Sequence, residues 1–306
     1  MTGPTRSDQA GRTYLDLQNK ARRENRPTQE LLDLYVLEGF LTRLATSGAR
    51  DSLVLKGGAL LAAFGARRPT RDVDFLAIDL ENDRDTLLAL AVRIAAIPVD
   101  DGLVFDADGA RAELIRDDDE YSGVRVSMRC GLARAELSFH IDVSVGDPVW
   151  PAPRLVEVPG LLHGSVRLLG YPIAAVHAEK IVTALQRGTV NTRWRDFADI
   201  YLLSTRLDID GGDLTRAIEM VAAHRGVELA PLAEVLQGFP QVAQVRWAAW
   251  IRRQRLDDRL PGGFADLLAD VCRFADPALR HEVTSRRWDH TTMAWEASYP
   301  ESPGPS

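Results

Sequence analysis

The spacing of hydrophobic residues predicts two N-terminal helices followed by alternating strands and helices. Helical periodicity begins near Asp8, and a second helix begins at Thr28, which we expect to act as its N-cap. An apolar run at 53–55 predicts a short strand. Two glycines then introduce an Ala/Leu-rich helix over 59–65, and strict alternation over 72–78 predicts another strand.

The middle of the chain is predicted to be rich in β-structure. Helical spacing over 82–96 leads into candidate strands at 111–116, 124–130 and 135–145, which are separated by turns that contain Asp and Gly. Several prolines and glycines over 146–172 predict a winding, irregular connection.

From Ile173 nearly to the C-terminus the periodicity is helical, so this half is expected to be all-α. Helices are predicted at 174–187, 192–205, 213–224, 240–255 and 262–274. The change of pattern near residue 165 predicts an α+β protein. Its expected parts are an N-terminal helical extension (1–27), a mixed β-sheet domain with flanking helices (28–165), a C-terminal helical domain (166–297) and a disordered tail (298–306).

Composition limits the class of protein. The 306 residues are ample for two domains, and 45% hydrophobic residues is ordinary for a soluble globular protein. No apolar run approaches the roughly 18 residues of a membrane span, and the polar N-terminus lacks the apolar region of a secretory signal. With only Cys130 and Cys272, a reduced, cytoplasmic protein is expected. The net charge of −7 argues against a protein that coats nucleic acid nonspecifically, but it permits a local basic cleft.

An acidic strand carries the candidate chemistry. Asp72 and Asp74 are two residues apart, so both point to one face of the strand, about 7 Å apart along the chain, while Val73 and Phe75 face a core. Neighbouring carboxylates repel each other unless a cation lies between them, and hard oxygen ligands suit Mg²⁺. Alone, this tripeptide is more often a solvated strand end, so its interpretation depends on the surrounding segments.

Two neighbouring segments strengthen the magnesium interpretation. Lys56-Gly57-Gly58 lies between a strand and a helix, where backbone N–H groups can approach a phosphate; a tight turn without a ligand is the alternative. Asp142 lies within the apolar strand 135–145, where an unpaired carboxylate is costly, so it is a candidate third carboxylate. We interpret His140 as a packing or hydrogen-bonding residue and Asp147 as the cap of the following turn.

The helical half contributes Lys180, one of only three lysines in the chain. A compact ammonium suits a triphosphate, whereas a plain surface lysine is the alternative. Asp196 and Asp199 are three residues apart and therefore share one face of their helix, with arginines nearby. Structural ion pairing is the competing interpretation of these charges.

Together these segments resemble the AbiEii/AbiGii family of nucleotidyltransferase toxins, the toxin half of type IV toxin–antitoxin systems, within the DNA polymerase β-like superfamily. The resemblance covers roughly residues 50–205 of the sequence. Its elements are, in order, Lys56-Gly57-Gly58, Thr70-Arg71-Asp72-Val73-Asp74-Phe75, Ile141-Asp142-Val143 with Gly146-Asp147, Glu179-Lys180, and Arg195-Asp196-x-x-Asp199-x-Tyr201. The sequence departs from the superfamily at Gly58, where many members carry Ser, so one hydroxyl contact is missing.

The resemblance implies a nucleotidyltransferase-like fold and Mg²⁺-dependent transfer of nucleotides from an NTP to RNA. In some members the acceptor is the 3′ end of tRNA, and the modification blocks translation. The implied metal ligands are Asp72, Asp74 and Asp142, of which Asp142 could instead help to deprotonate the acceptor hydroxyl. The implied nucleotide contacts come from Lys56, Gly57, Gly58, Thr70, Arg71 and Lys180, and Asp199 would orient the triphosphate or a neighbouring base. A cognate antitoxin encoded nearby is the implied protein partner, and no membrane is involved.

Two other functions remain open. A small-molecule nucleotidyltransferase, like the aminoglycoside-modifying relatives, needs a narrow acidic acceptor pocket, whereas RNA needs a broad basic surface. Candidate residues for such a surface are Arg22, Arg23, Arg67, Arg68, Arg187, Arg193, Arg195, Arg252 and Arg253. An inactive nucleotide-binding protein is the alternative without catalysis, and the three retained aspartates argue against it.

Overall fold

The computed structural model describes residues 4–116 and 122–297, so the predicted disordered tail, 298–306, lies outside the described residues. The chain divides into two compact units: Met1–Asp147 with Pro153–Tyr171, and Pro148–Ala152 with Pro172–Ser306. The first combines helices with a seven-stranded sheet and the second is mainly helical, which confirms the predicted α+β class. Within the described residues, no helix is long and apolar enough to cross a membrane.

Two helices begin the first unit, α1 (Gln9–Arg23) and α2 (Thr28–Thr46). The Asp8 carboxylate caps α1 by accepting a hydrogen bond from the Gly11 N–H group. The prediction that Thr28 caps α2 was wrong, because Pro27 occupies the N-cap position and Thr28 is already the first helical residue. Proline suits this position, since its fixed φ is compatible with the extended residue just before a helix.

The strands of the first unit form one mixed sheet. In chain order they are β1 (Leu53–Lys56), β2 (Asp72–Ala77), β3 (Leu103–Arg116), β4 (Ser122–Leu132), β5 (Ala135–Val145), β6 (Arg154–Pro159) and β7 (Ser165–Gly170). In space the order is β3-β4-β5-β2-β1-β7-β6. β2 runs parallel to β5 and antiparallel to β1, so it lies at the centre of the sheet.

Residues 146–172 do not form the winding connection predicted from their prolines and glycines. They contain the antiparallel pair β6 and β7, whose Val156, Val158, Val166 and Leu168 are buried while the intervening residues are exposed. Each strand has only six residues, which is too short for the alternation to stand out among turn residues. Because β7 pairs with β1, the first compact unit extends to Tyr171, a few residues beyond the predicted boundary near residue 165.

The segment between β1 and β2 is less helical than predicted over 59–65. A single α-turn, α3 (Gly57–Leu60), continues as a 3₁₀ turn over Leu61–Phe64, which Gly65 ends at a φ of 70°. After β2, the helix predicted over 82–96 is found as α4 (Arg84–Ala95), with the Asp83 side chain accepting from the Thr86 N–H group.

An aromatic cluster fixes which face of the central strands is buried. The ring of Phe40 on α2 lies 6.5 Å from that of Phe75 on β2 and 5.8 Å from that of Phe139 on β5, measured between centroids. All three rings are buried. Because side chains alternate along a strand, Asp74 and Asp142 point to the opposite face of the sheet.

The second unit is built from helices around an aromatic core. Its helices are α5 (Ile173–Arg187), α6 (Trp194–Ser204), α7 (Gly211–Arg225), α8 (Leu232–Val235), α9 (Phe239–Gln254) and α10 (Phe264–Leu279). Trp194 stacks on Phe239 at 5.8 Å, and Phe264 meets Trp194, Phe197 and Trp247 edge-on at 5.4–5.6 Å. These contacts join α6, α9 and α10.

The expectation that this half is all-α was wrong in one respect. The unit also contains a three-stranded antiparallel sheet of β8 (Ile209–Asp210), β9 (Arg286–Asp289) and β10 (Ala294–Ala297). Trp288 of β9 is fully buried against Phe274 of α10, so the sheet covers one part of the helical core. Strands of two to four residues are too short to give a periodic signal in the sequence.

Candidate functional site

Three carboxylates meet on one face of the central sheet. Asp72 and Asp74 lie on β2, and Asp142 lies on the parallel neighbour β5, where the register places it directly beside Asp74. One carboxylate oxygen from each of the three lies within 4.8 Å of the others, and all three residues are partly buried. The structure therefore brings together the three aspartates that the sequence analysis proposed as metal ligands.

The electrostatics of this triad show an excess of negative charge. Burial and repulsion from Asp72 and Asp142 raise the pKa of Asp74 to about 7, and the nearby cations Lys56 and Arg68 offset only part of this effect. A carboxyl group whose pKa lies this high binds a proton readily near neutral pH, and a divalent cation would relieve the same repulsion.

Arg125 contacts the triad and was not identified from the sequence. It lies on β4 opposite Asp142, and its Nε and Nη2 donate hydrogen bonds of 2.8 and 2.7 Å to the two carboxylate oxygens. This bidentate contact raises the pKa of Arg125 above its usual range. The alternation of Arg125, Ser127 and Arg129 with buried apolar residues in β4 was a usable signal for a polar strand face.

The glycine turn is shaped by the acidic strand. Gly57 has a φ of 64°, and a Cβ atom at that position would lie 1.9 Å from Oδ2 of Asp74. At Gly58 a Cβ atom would lie 3.0 Å from Thr70 Oγ1 and 3.2 Å from Arg68 Nη1. The departure from Ser at Gly58 therefore occurs where Thr70 and Arg68 already fill the space next to the backbone.

Thr70 and Arg71 differ in their surroundings. The Thr70 hydroxyl donates a short hydrogen bond to Oδ1 of Asp72, so it orients one carboxylate of the triad. The Arg71 side chain is 73% exposed, and its Nε donates a 3.0 Å hydrogen bond to Asp33 of α2. Thr70 thus contacts the triad directly, whereas the guanidinium of Arg71 is largely open to solvent.

Lys56 lies in an ion pair at the end of β1. Its Nζ is 2.6 Å from Oδ2 of Asp147, which also accepts a 2.6 Å hydrogen bond from Ser144 Oγ, and the ammonium lies over the ring of Tyr171. The interpretation of Asp147 as a turn cap did not include these contacts, which its carboxylate makes with Lys56 and Ser144. His140 hydrogen-bonds through Nδ1 to Ser127 at 3.0 Å, as expected of a structural residue.

In the second unit, Lys180 lies in a buried ion-pair cluster between α5 and α6. Its Nζ is 2.7 Å from Asp199 and 3.1 Å from Asp196, and Arg193 Nε lies 2.8 Å from the other oxygen of Asp196. The competing interpretation, structural ion pairing, is therefore observed for these residues. One turn earlier, burial and the charge of Lys180 lower the pKa of His177 to about 3, so its ring is neutral.

A second acidic group lies in the helical unit but has local partners. Asp208 binds His290 Nδ1 at 2.7 Å and also pairs with Arg287, and Asp289 accepts hydrogen bonds from Thr291. These contacts lower the pKa of Asp208 and of Asp289 through hydrogen bonding. The arrangement is explained by turn structure without a bound cation.

Comparison with known proteins gives one informative match. A family model described as nucleotidyl transferase AbiEii toxin, type IV TA system, matches residues 39–282, which is more than half of the chain. No curated protein matches the chain by sequence. The solved structure of JHP933 from Helicobacter pylori is similar at a TM-score of 0.49 and 16% identity, covering 84% of this chain and 94% of that one. A second H. pylori structure, provisionally assigned as a nucleotidyltransferase, gives the same score and identity and is 97% covered.

The raised pKa of Asp74 predicts that the ionised carboxylate lowers the stability of the metal-free protein. Between the ordinary carboxyl pKa of about 4 and the folded value of about 7, the folded state binds a proton that the unfolded state lacks, so stability falls as pH rises. We expect Asp74→Asn to raise the melting temperature at pH 8 in the presence of a chelator, with the gain vanishing near pH 4. Thermal unfolding over this pH range measures the difference.

Asp83 provides the opposite case for comparison. Its pKa is lowered by hydrogen bonds to Thr86 at the start of α4, so it contributes stability above its unfolded pKa that is lost on acidification. Asp83→Asn should therefore show no stabilisation at pH 8. Parallel pH profiles for wild type and Asp74→Asn would contradict the assignment of excess charge to the triad.

The Arg125–Asp142 pair predicts a substitution that a metal ion can compensate. Arg125→Gln leaves the carboxylate of Asp142 without its bidentate partner, at an expected cost of about 1–3 kcal/mol in the metal-free protein. Added Mg²⁺ should then raise the melting temperature of Arg125→Gln more than that of wild type, because the cation supplies the missing charge. Arg129→Gln on the same strand breaks only the exposed pair with Asp106 and serves as the control. Equal Mg²⁺ shifts in all three proteins would remove Arg125 from the site.

Proposed function

This chain belongs to the AbiEii nucleotidyltransferase toxin family of type IV toxin–antitoxin systems, and we propose that it transfers nucleotides from an NTP to an RNA acceptor, namely the 3′ end of tRNA. The observation that supports this most is the convergence of Asp72, Asp74 and Asp142 within 4.8 Å on one sheet face. In this reaction the terminal hydroxyl of the acceptor forms an ester bond to the α-phosphate, and pyrophosphate leaves.

Mg²⁺ is the proposed metal because the residues present fit it. The triad offers only carboxylate oxygens, which are the ligands of a hard divalent cation, and its excess charge is what such a cation would neutralise. Bound there, Mg²⁺ would supply positive charge to the triphosphate and to the leaving pyrophosphate. We assign Asp72, Asp74 and Asp142 as ligands, with Thr70 orienting Asp72 and Arg125 orienting Asp142.

The contacts of Asp142 favour one of its two implied roles. Both of its carboxylate oxygens already accept hydrogen bonds from Arg125. A carboxylate has about four lone-pair sites, so each oxygen keeps one that can bind a cation together with Asp72 and Asp74. We therefore propose that Asp142 acts as a metal ligand rather than as the general base, and that Arg125 holds it in position.

The nucleotide is proposed to approach the glycine turn. Because Gly57 carries no side chain, Asp74 lies against its backbone, and the adjacent N–H groups of the turn are candidates for phosphate oxygens. The turn leads into an α-helix of only four residues, so these N–H groups act individually. The exposed Arg71 is proposed to bind phosphate, and Lys56 contributes positive charge near Asp74.

The family also supports the proposed biological setting. A type IV toxin acts together with an antitoxin, so a cognate antitoxin is the proposed partner, and modification of tRNA would block translation in the cytoplasm. A small-molecule nucleotidyltransferase remains the second enzyme hypothesis, and the acceptor that becomes labelled decides between the two.

The deciding experiment is incubation of the protein with each radiolabelled NTP, total RNA and Mg²⁺. We expect label in RNA of tRNA size, and loss of that label with Asp72→Asn or Asp74→Asn, because each substitution removes a proposed ligand. Asp83→Asn, at an exposed helix cap, is the matched control and should keep full activity. Transfer at the wild-type rate by either triad variant would overturn the proposal, and label confined to small molecules would favour the second hypothesis.

Lys180 and Asp199 need a separate test because their substitution also affects folding. Lys180→Gln leaves two buried carboxylates without their shared cation, which we expect to cost about 3–5 kcal/mol of stability. The double variant Lys180→Gln/Asp199→Asn should regain most of that stability, because Asp196 keeps its contact with Arg193. If Lys180 also binds the triphosphate, the double variant will have a higher KM for the NTP than the wild type, even though its stability is regained.

The single variant Asp199→Asn distinguishes the effect of Asp199 on nucleotide binding from that of Lys180, because it keeps the ammonium of Lys180. We expect its KM for the NTP to rise less than that of the double variant. Recovery of both stability and a wild-type KM in the double variant would restrict Lys180 and Asp199 to a structural role.

A further inference from the structure

The outer face of α9 differs in charge from the rest of the chain. Residues 235–256 contain no Asp or Glu, although the whole chain has a net charge of −7. The same stretch contains Arg246, Arg252, Arg253 and Arg255, all of them exposed. A helix with this composition creates a local positive potential on an acidic protein.

Helical geometry places the arginines and two valines on one side of α9. With about 3.6 residues per turn, Val242, Val245, Arg246, Arg252 and Arg253 fall on a continuous arc, opposite the buried Ala243, Trp247 and Ile251. Val242 and Val245 are 69% and 79% exposed, far above what a core-facing valine shows. We call these five residues, Val242, Val245, Arg246, Arg252 and Arg253, the arginine face.

The arginines of this face lack the partners that neighbouring helices provide. Arg216 on α7 pairs with Glu219, and Arg273 on α10 pairs with Asp270, each three residues away on its own helix. In the described part of the chain, Arg246, Arg252 and Arg253 take part in no ion pair. Their guanidinium groups therefore present hydrogen-bond donors to solvent, in the fork geometry that suits phosphate.

We propose that the arginine face binds the phosphate backbone of the RNA acceptor. The proposal rests on the proposed function and adds to it the surface that holds the acceptor. Neutralising backbone phosphates with arginine releases counterions, which favours binding independently of sequence. The two exposed valines add small apolar contacts beside the charges.

A protein partner fits this face less well. Protein interfaces derive most of their binding energy from a few Trp, Tyr and Arg side chains packed in desolvated pockets at the centre of the contact. The exposed apolar residues here are valines, whereas Trp247 of the same helix is fully buried in the core. The charge of the face accordingly favours a polyanion.

The test is binding of fluorescently labelled bulk tRNA at several salt concentrations. The variant Arg246→Gln/Arg252→Gln/Arg253→Gln should bind about tenfold or more weakly at low salt, and its plot of log K against log salt should be shallower by about three, one for each lost phosphate contact. In the transfer assay its KM for RNA should rise while its KM for the NTP stays unchanged. Circular dichroism and thermal unfolding verify that the variant is folded.

A charge-matched control comes from the same unit. Arg216→Gln/Arg273→Gln/Arg280→Gln also removes three exposed positive charges, but each of these arginines already faces a carboxylate. This control should keep most of the affinity and the wild-type salt dependence. Equal weakening in both triple variants would show a general charge effect and would overturn the proposal.

Three further outcomes distinguish this inference from the proposed function. Wild-type protein that labels RNA, together with unchanged RNA binding by the arginine-face variant, overturns the inference alone. Loss of antitoxin binding in that variant without loss of RNA affinity assigns the face to the protein partner and also overturns it. Failure of the wild type to bind or label any RNA overturns the proposed RNA acceptor and the inference together.

Discussion

The structure of the candidate site depends on the burial of one face of two adjacent parallel strands. Phe75 and Phe139 pack against Phe40 of α2, and strict alternation then directs Asp74 and Asp142 together onto the other face. Burial and repulsion from Asp72 and Asp142 raise the pKa of Asp74, yet the hydrophobic contacts behind the carboxylates keep them in place. Apolar packing thus provides the free energy that holds like charges side by side.

The two units handle their buried charges in opposite ways. In the helical unit, Lys180 binds Asp196 and Asp199, and Arg193 binds Asp196, so each of these two buried carboxylates has a cationic partner. In the sheet unit, Arg125 pairs with Asp142, whereas burial and the neighbouring carboxylates raise the pKa of Asp74. A cation bound at the sheet face would relieve the repulsion among the three carboxylates.

Much of this site could be predicted from the sequence, because it depends on local alternation. The pairing of Asp72 with Asp74 follows from the two-residue period, and Asp142 stood out as a carboxylate in an apolar strand. Arg125 could not be assigned, since its partner is set by the register between two strands. The strands β6 and β7 were missed because six residues between turn residues give little periodic signal, and the ion pairs of Lys180 depend on how two helices pack.

Because Gly57 contacts Asp74, the residue type that is accepted at one of these positions depends on the residue at the other. A side chain at residue 57 would collide with the Asp74 carboxylate, so the aspartate gives a second steric reason for glycine besides the left-handed backbone. In a homologue without a carboxylate at the position of Asp74, this steric constraint on residue 57 would be relaxed, leaving the left-handed backbone as the remaining restriction. A residue other than glycine at this turn is therefore expected in homologues that have a smaller residue than aspartate at the position of Asp74.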